Sequence, residues 1–186
     1  LAVPHFLDLD AVEADTLEVA RTTHADPRSS ASCVAATTAL ALLLRAAPGG
    51  PASSDGDTFD ADVIAEAAYQ RGKAHLTPLT FHGRLHRAAY YHVSADGELR
   101  RHLFATDVKE LALDEPGKIG YVYKCVGSAF WALRSGKSFR DALGAVVAEA
   151  GDADTNGAIT GAILGAKFGY KGLPKSWLEG MPHKAF

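Results

Sequence analysis

Apolar residues recur at three- and four-residue steps along most of the 186-residue chain. That period builds helices with one buried face and leaves little of the chain for a sheet. Leu9 to Thr23 follows it. So does "SSASCVAATTALALLLR", Ser29 to Arg45, which has serines at its start and Pro48-Gly49-Gly50 as its stop signal. "GGPASSDGDTFD" reads as a polar loop whose Asp55, Asp57, Asp60 and Asp62 serve turns and caps rather than calcium. A short helix is expected from Asp60 to Gly72. "KIGYVYKCVGSAFWALRSG" forms another, closed by Gly136, and Ser138 with Asp141 three residues on opens the next. Between Lys73 and Pro116 the period fails, although five of the eight histidines lie there. Asp96-Gly97 within "YYHVSADGELRRH" predicts a small strand pair, and a helical piece is expected from Asp107 to Leu113. With no repeat and no linker, the expectation is one all-α domain over residues 1–186.

Composition narrows the function classes. Apolar residues make up 47% and charged residues 22%, the balance of a globular protein. The formal charge is −3 and the basic residues are scattered, so no face is predicted to bind nucleic acid. No secretory signal and no membrane span are read from the sequence. Cys33 and Cys125 both sit in apolar helical stretches and are expected to be core thiols of an intracellular, cytoplasmic protein.

The most informative stretch is "AEAGDADTNGAITGAILGAKFGYKGLP", Ala148 to Pro174. Asp152, Asp154, Thr155 and Asn156 crowd into five positions where a helix begins, more polar groups than one cap requires. Glycines follow at 157, 161, 165 and 169, a spacing that leaves a bare groove ~18 Å long on one helical face. Interior glycines cost roughly 1 kcal/mol each against alanine, so a close backbone neighbour and a central, buried helix are expected. Two carboxylates at i and i+2 with a hydroxyl at i+3 can converge on one hard cation: Mg²⁺, Mn²⁺ or Ca²⁺ rather than Zn²⁺. A calcium EF-hand fits Asp152, Asp154, Asn156 and Gly157, but its twelfth position needs a glutamate and holds Ile163.

Other patterns carry less. His82 and His86 are four apart, but the glutamate of a helical zinc motif is missing. "SGKS" from Ser135 lacks the upstream glycine of a phosphate loop, Trp131 standing in its place. No nucleophile elbow is present. By helical spacing with Val122, Cys125 and Val126, Tyr121 is a core or rim aromatic, and His24 on its own reads first as a hydrogen-bonded connector, with a functional group as the alternative.

"AGDADTNGAITGAILGAKFG" resembles the C-terminal signature of the ADP-ribosylglycohydrolases, G-G-D-x-D-T-N followed by glycine-rich helix, with Ala150 in place of the first glycine. "THADPRSSASCVAATTALALLL", "IGYVYKCVGSAFWAL" and "LPKSWLEGM" are similar to further family segments in the same order. The resemblance implies an all-α orthogonal helical bundle that binds two Mg²⁺ ions, with Mn²⁺ as the alternative metal. Such enzymes remove ADP-ribose from modified proteins or related conjugates by cleaving the glycosidic bond at the ribose. It further implies that Asp152, Asp154 and Thr155 ligate metal, Asp154 being the most sensitive, and that Gly151 and Asn156 shape the turn. His24 would approach phosphate and ribose, and Gly120 and Tyr121 would line the nucleotide side.

Family members begin with a Gly-Asp-Ala-rich helix and a Thr-Asp-Asp segment that have no match here. The chain opens "LAVPHFLDLD", and the resemblance implies the C-terminal half to two-thirds of such an enzyme, with N-terminal helices expected to be missing. The expectation is therefore weak metal binding and little turnover alone, with a missing N-terminal half as a partner. The alternative is a non-catalytic relative that keeps the fold for ADP-ribose binding or for a structural, crystallin-like role.

Overall fold

The structure, a computed structural model, describes residues 2–47, 60–76, 80–81, 84–85 and 92–182. Helices dominate them: α1 (Ala2–His5), α2 (Leu9–Arg21), α3 (Pro27–Ala46), α4 (Ala61–Lys73), α5 (His92–Leu103), α6 (Val122–Arg134), α7 (Phe139–Ala148), α8 (Ala153–Phe168) and α9 (Lys175–Gly180). Single 3₁₀ turns occupy Val108–Leu111 and Tyr170–Gly172. Two-residue strands, β1 (Thr80–Phe81) and β2 (Arg84–Leu85), pair antiparallel. The all-α expectation holds.

α3 is the central helix because its sequence is small and apolar on nearly every face. Asp26 caps it, accepting from the Arg28 N–H at 2.9 Å, and Pro27 occupies its first turn. Ala47 leaves in an extended conformation, as the residue before Pro48 must. Among the described residues α3 alone is long and apolar enough to cross a membrane by length and composition, a property the sequence reading missed. Half of that window is buried, with α2, α4, α6 and α8 packed around the helix.

α6 is the second axis. Tyr123, Phe130 and Leu133 on it are fully buried with Leu43, Leu99, Leu103 and Ile163 from three other helices. Each such side chain contributes roughly 1.5–3 kcal/mol by leaving water. A second cluster of Leu113, Trp131, Val146 and Leu164 joins the 105–113 segment to α6, α7 and α8.

Two expectations fail. Residues 92–103 are helix α5, not a hairpin: Leu99 and Leu103, four apart, both face the core, and one buried helical face outweighs the turn preference of Asp96-Gly97. The glycines of α8 meet no backbone. A side chain at Gly161, Gly165 or Gly169 would find nothing within 4 Å, and at Gly157 only the Val147 methyl at 3.4 Å. The α8 surface that is buried carries Asn156, Thr160, Ile163 and Leu164 instead, and the glycine row lies at the margin. Close approach occurs elsewhere: a Cβ on Gly127 would lie 3.0 Å from the His102 carbonyl, so α5 and α6 come together there.

Candidate functional site

α7 ends at Ala148, and the chain must reverse before α8 begins at Ala153. It does so through two successive left-handed residues, Ala150 at φ 58° and Gly151 at φ 67°. Glycine is needed at 151 twice over, since a Cβ there would collide with the Leu113 carbonyl. Ala150 takes its left-handed conformation without that freedom, at the position where the resembling signature has glycine.

Asp152 then stands at the N-cap position, yet its side chain makes no cap hydrogen bond. Its Oδ2 lies instead on the side of Gly120. Interaction with the neighbouring Asp152, and then the backbone N–H groups of Thr155 and Asp154, hold the Asp154 carboxyl below its ordinary range. Thr155 is exposed beside them. Asn156 is wholly buried, and neither its amide nitrogen nor its oxygen has a partner among the described residues. Two neighbouring carboxylates, a hydroxyl and an unpartnered carboxamide form an all-oxygen donor set with spare polar capacity, which suits Mg²⁺ or Mn²⁺. Among the described residues no third His, Cys, Asp or Glu completes a ligand cluster.

Across from this turn lies Gly120, whose missing side chain would sit 3.9 Å from Asp152 Oδ2. Gly120 and Tyr121 open onto a cleft of about 720 Å³. Its wall is drawn from α3 (Arg28), α5 (Glu98, Arg101, His102), the 110–118 segment and the start of α6 (Lys124). Tyr121 is half-buried at the N-cap of α6, its hydroxyl pushed up to about 12 by burial and the charge of Glu98. Arg28 lies 5.6 Å from the centre of that ring and pairs with Asp26 at 2.6 Å. Tyr121, Tyr123 and His102 form a ring cluster with centroids 5.3 to 6.1 Å apart.

The 112–118 segment is tied to α6 by charge. Lys124, its side chain 4% exposed, donates to the Ala112 carbonyl and to Glu115 Oε2 at 2.8 Å, while Lys118 takes Glu115 Oε1 at 2.7 Å. Those two ammonium groups lower the Glu115 carboxyl to about 2.

The structure thus brings together Asp152, Asp154, Thr155, Asn156, Gly151 and Gly120, with Tyr121 in the adjoining cleft. His24 stands apart from the lining: it is exposed in the turn after α2, with Nδ1 2.9 Å from the Thr23 hydroxyl. Sequence reasoning missed Arg28, His102 and Lys124. Arg28 had a local signal, following a capping Asp-Pro pair, whereas the other two depend on tertiary packing. Cys33 and Cys125 are free and partly buried. Burial raises both thiols, that of Cys125 to about 11 with Asp152 nearby, so they are poor nucleophiles. Asp60 caps α4, accepting from the Asp62 and Val63 N–H groups. Asp55, Asp57, His82, His86 and the Pro48-Gly49-Gly50 stop lie outside the described residues.

Comparison with known proteins completes the picture. A profile of the ADP-ribosylglycohydrolase family matches residues 1–185. An ADP-ribosylarginine hydrolase, Tri1, of Serratia proteamaculans is 39% identical over 75 residues, covering 40% of this chain and 20% of the relative. The Tri1 of Pseudomonas putida is 33% identical over 75 residues, with the same two coverages. An uncharacterized protein of Archaeoglobus fulgidus is 39% identical over 77 residues, 41% of this chain and 25% of that protein. The matched part of the chain therefore spans only a fifth to a quarter of the length of these relatives. No solved structure matches it.

Proposed function

The chain belongs to the ADP-ribosylglycohydrolase family, and from that premise we propose that it serves a Mg²⁺-dependent hydrolase that removes ADP-ribose from arginine side chains. The family supports the hydrolase class, and the two Tri1 relatives support arginine as the linked residue. The observation that carries the reading is Asp152, at the N-cap yet making no cap hydrogen bond, with its Oδ2 beside Gly120 at the edge of a cleft of nucleotide size.

Asp152, Asp154 and Thr155 would hold the metal, and Mg²⁺ when bound supplies positive charge that orients and polarises oxygens around the ribose. The chain's own residues have other work. Asp154, ionised and exposed, offers oxygen toward the reaction centre. Gly120 leaves the space between the Asp152 carboxylate and the cleft free of a side chain. Tyr121 offers a flat surface for the nucleotide, and Arg28, Arg101 and Lys118 offer positive charge to its diphosphate. In the hydrolysis a water oxygen bonds to the anomeric carbon as its bond to the guanidinium nitrogen breaks. The proton lost by water goes to that nitrogen, through an oxocarbenium-like state.

The test is release of ADP-ribose from an ADP-ribosylated arginine peptide, with Mg²⁺ and with chelator, by this chain and by a longer family context carrying it. Metal-dependent release in either supports the reading. Tight ADP-ribose binding without turnover in both supports the non-catalytic alternative. Release unaffected by chelator removes the metal from the proposal.

A further inference from the structure

His102 is the cleft residue whose chemistry is most narrowly fixed by its surroundings. It is 8% exposed, yet it lines the cleft. Nδ1 lies 2.8 Å from the Glu98 carbonyl oxygen, which can only accept, so Nδ1 carries the proton. Burial, together with Arg101 and Lys124, disfavours a second proton. The ring is therefore neutral, and Nε2, hydrogen-bonded to nothing among the described residues, is a bare acceptor.

The setting restricts what can approach it. In the lining, Tyr121 stands 6.1 Å away, centroid to centroid, with Leu111 and Ala112 as apolar wall and Glu98, Arg101 and Lys124 as charged neighbours, while the fully buried Tyr123 backs the ring at 5.7 Å. The close packing at Gly127 fixes the α5 backbone at His102, so the ring cannot easily withdraw. A flat heteroaromatic group suits this wall better than a hydrated sugar, and the only complement to a bare acceptor is a donor on its edge.

We propose that His102 determines specificity in this cleft by accepting, at Nε2, a hydrogen bond from the exocyclic amino group of the adenine ring lodged against Tyr121. The inference rests on the reading that the cleft takes ADP-ribose, and adds which atom of the base is read. A base lacking the amino group would leave Nε2 dry and unpaired. A lost hydrogen bond of that kind corresponds to about a tenfold loss in affinity.

The experiment is calorimetric titration of the chain with ADP-ribose and with its 6-deamino (purine) analogue. Wild type is expected to prefer ADP-ribose by about tenfold. His102→Phe, which keeps a ring of similar size, should bring the two affinities together. His102→Gln, which restores an amide acceptor near the position of Nε2, should keep the preference even if the phenylalanine variant does not fold. Equal affinities in wild type, or a preference that survives in His102→Phe, overturn the role of His102 and leave the hydrolase reading standing. Failure of wild type to bind either nucleotide overturns the cleft assignment and the inference with it.

Discussion

The two halves of the candidate site are built in opposite ways. The turn before α8 is local: seven consecutive residues, Ala150 to Asn156, supply two left-handed backbone positions, two carboxylates, a hydroxyl and a buried carboxamide. The cleft wall is assembled from four places in the chain, with Arg28 more than 70 residues from the segment it faces. The turn can be recognised as a string of letters. The wall exists only once α5 and α6 have packed and Lys124 has secured the loop between them. The two meet most closely where Gly151 lies against Leu113.

The sharpest way to break the comparison is at the turn. In a complete family context, Asp154→Ala should lose Mg²⁺-dependent release of ADP-ribose by at least about 10²-fold, with little change in melting temperature because Asp154 is exposed. Unchanged turnover would mean that the chemistry resides in the wall or elsewhere. Gly151→Ala should come next, since it attacks the joint between the halves. Left-handed strain and collision with Leu113 each cost roughly 1–3 kcal/mol, so a fall of about 3 kcal/mol in unfolding free energy is expected. If denaturant melts show a drop below ~1 kcal/mol, the two halves are not tightly coupled through this contact.

What the sequence disclosed follows the same division. Helices whose caps and periods lie within one segment were readable: Asp60 opens α4 and Ser138 opens α7, whereas α3, read from its serines at Ser29, opens two residues earlier at the Asp26 cap and Pro27. The polar turn at α8 was readable for the same reason. α5 was misread because Asp96-Gly97 is a short-range turn signal, while the burial of Leu99 and Leu103 that overrides it comes from other helices. The glycine row was misread for a related reason. Small residues four apart describe an open margin as well as a closely packed groove, and the letters alone do not say what stands opposite. His102 and Lys124 lacked any local signal, since their roles come from the rings and carboxyl groups that packing brings to them.

That ambiguity among small residues can be tested by exchanging them. Ala150 sits at φ 58°, a conformation glycine adopts without strain. Ala150→Gly relieves left-handed strain of about 1–2 kcal/mol but gives up ~0.5–1 kcal/mol to the greater freedom of the unfolded chain, for a net gain near 0.5 kcal/mol. Gly161→Ala lies in a helix interior with open space around it, and should gain about 0.5–1 kcal/mol from helix propensity. Paired thermal melts would decide. A loss of stability at Gly161→Ala would restore the packed-groove reading and place a partner against that face.

The smallest expected effect belongs to the cleft wall and is read through pH. Glu115 has its carboxyl held at about 2 by Lys118 and Lys124, against an ordinary value of 4.5. Between those values the folded chain keeps a charge that the unfolded chain has neutralised by taking up a proton. The unfolded state therefore binds more protons in that window, and the Glu115 contribution grows as pH rises through it. It is fully present above 4.5 and gone below about 2. Glu115→Gln removes the charge at every pH, so the stability gap between wild type and variant should be widest above pH 4.5 and close as pH falls toward 2. Amide exchange across 112–118 should report the same loosening locally, because Lys124 ties both Ala112 and Glu115 to α6. A gap that stays constant across the window would show that Lys124 is held by the Ala112 carbonyl and by packing alone, and that charge does not shape this wall.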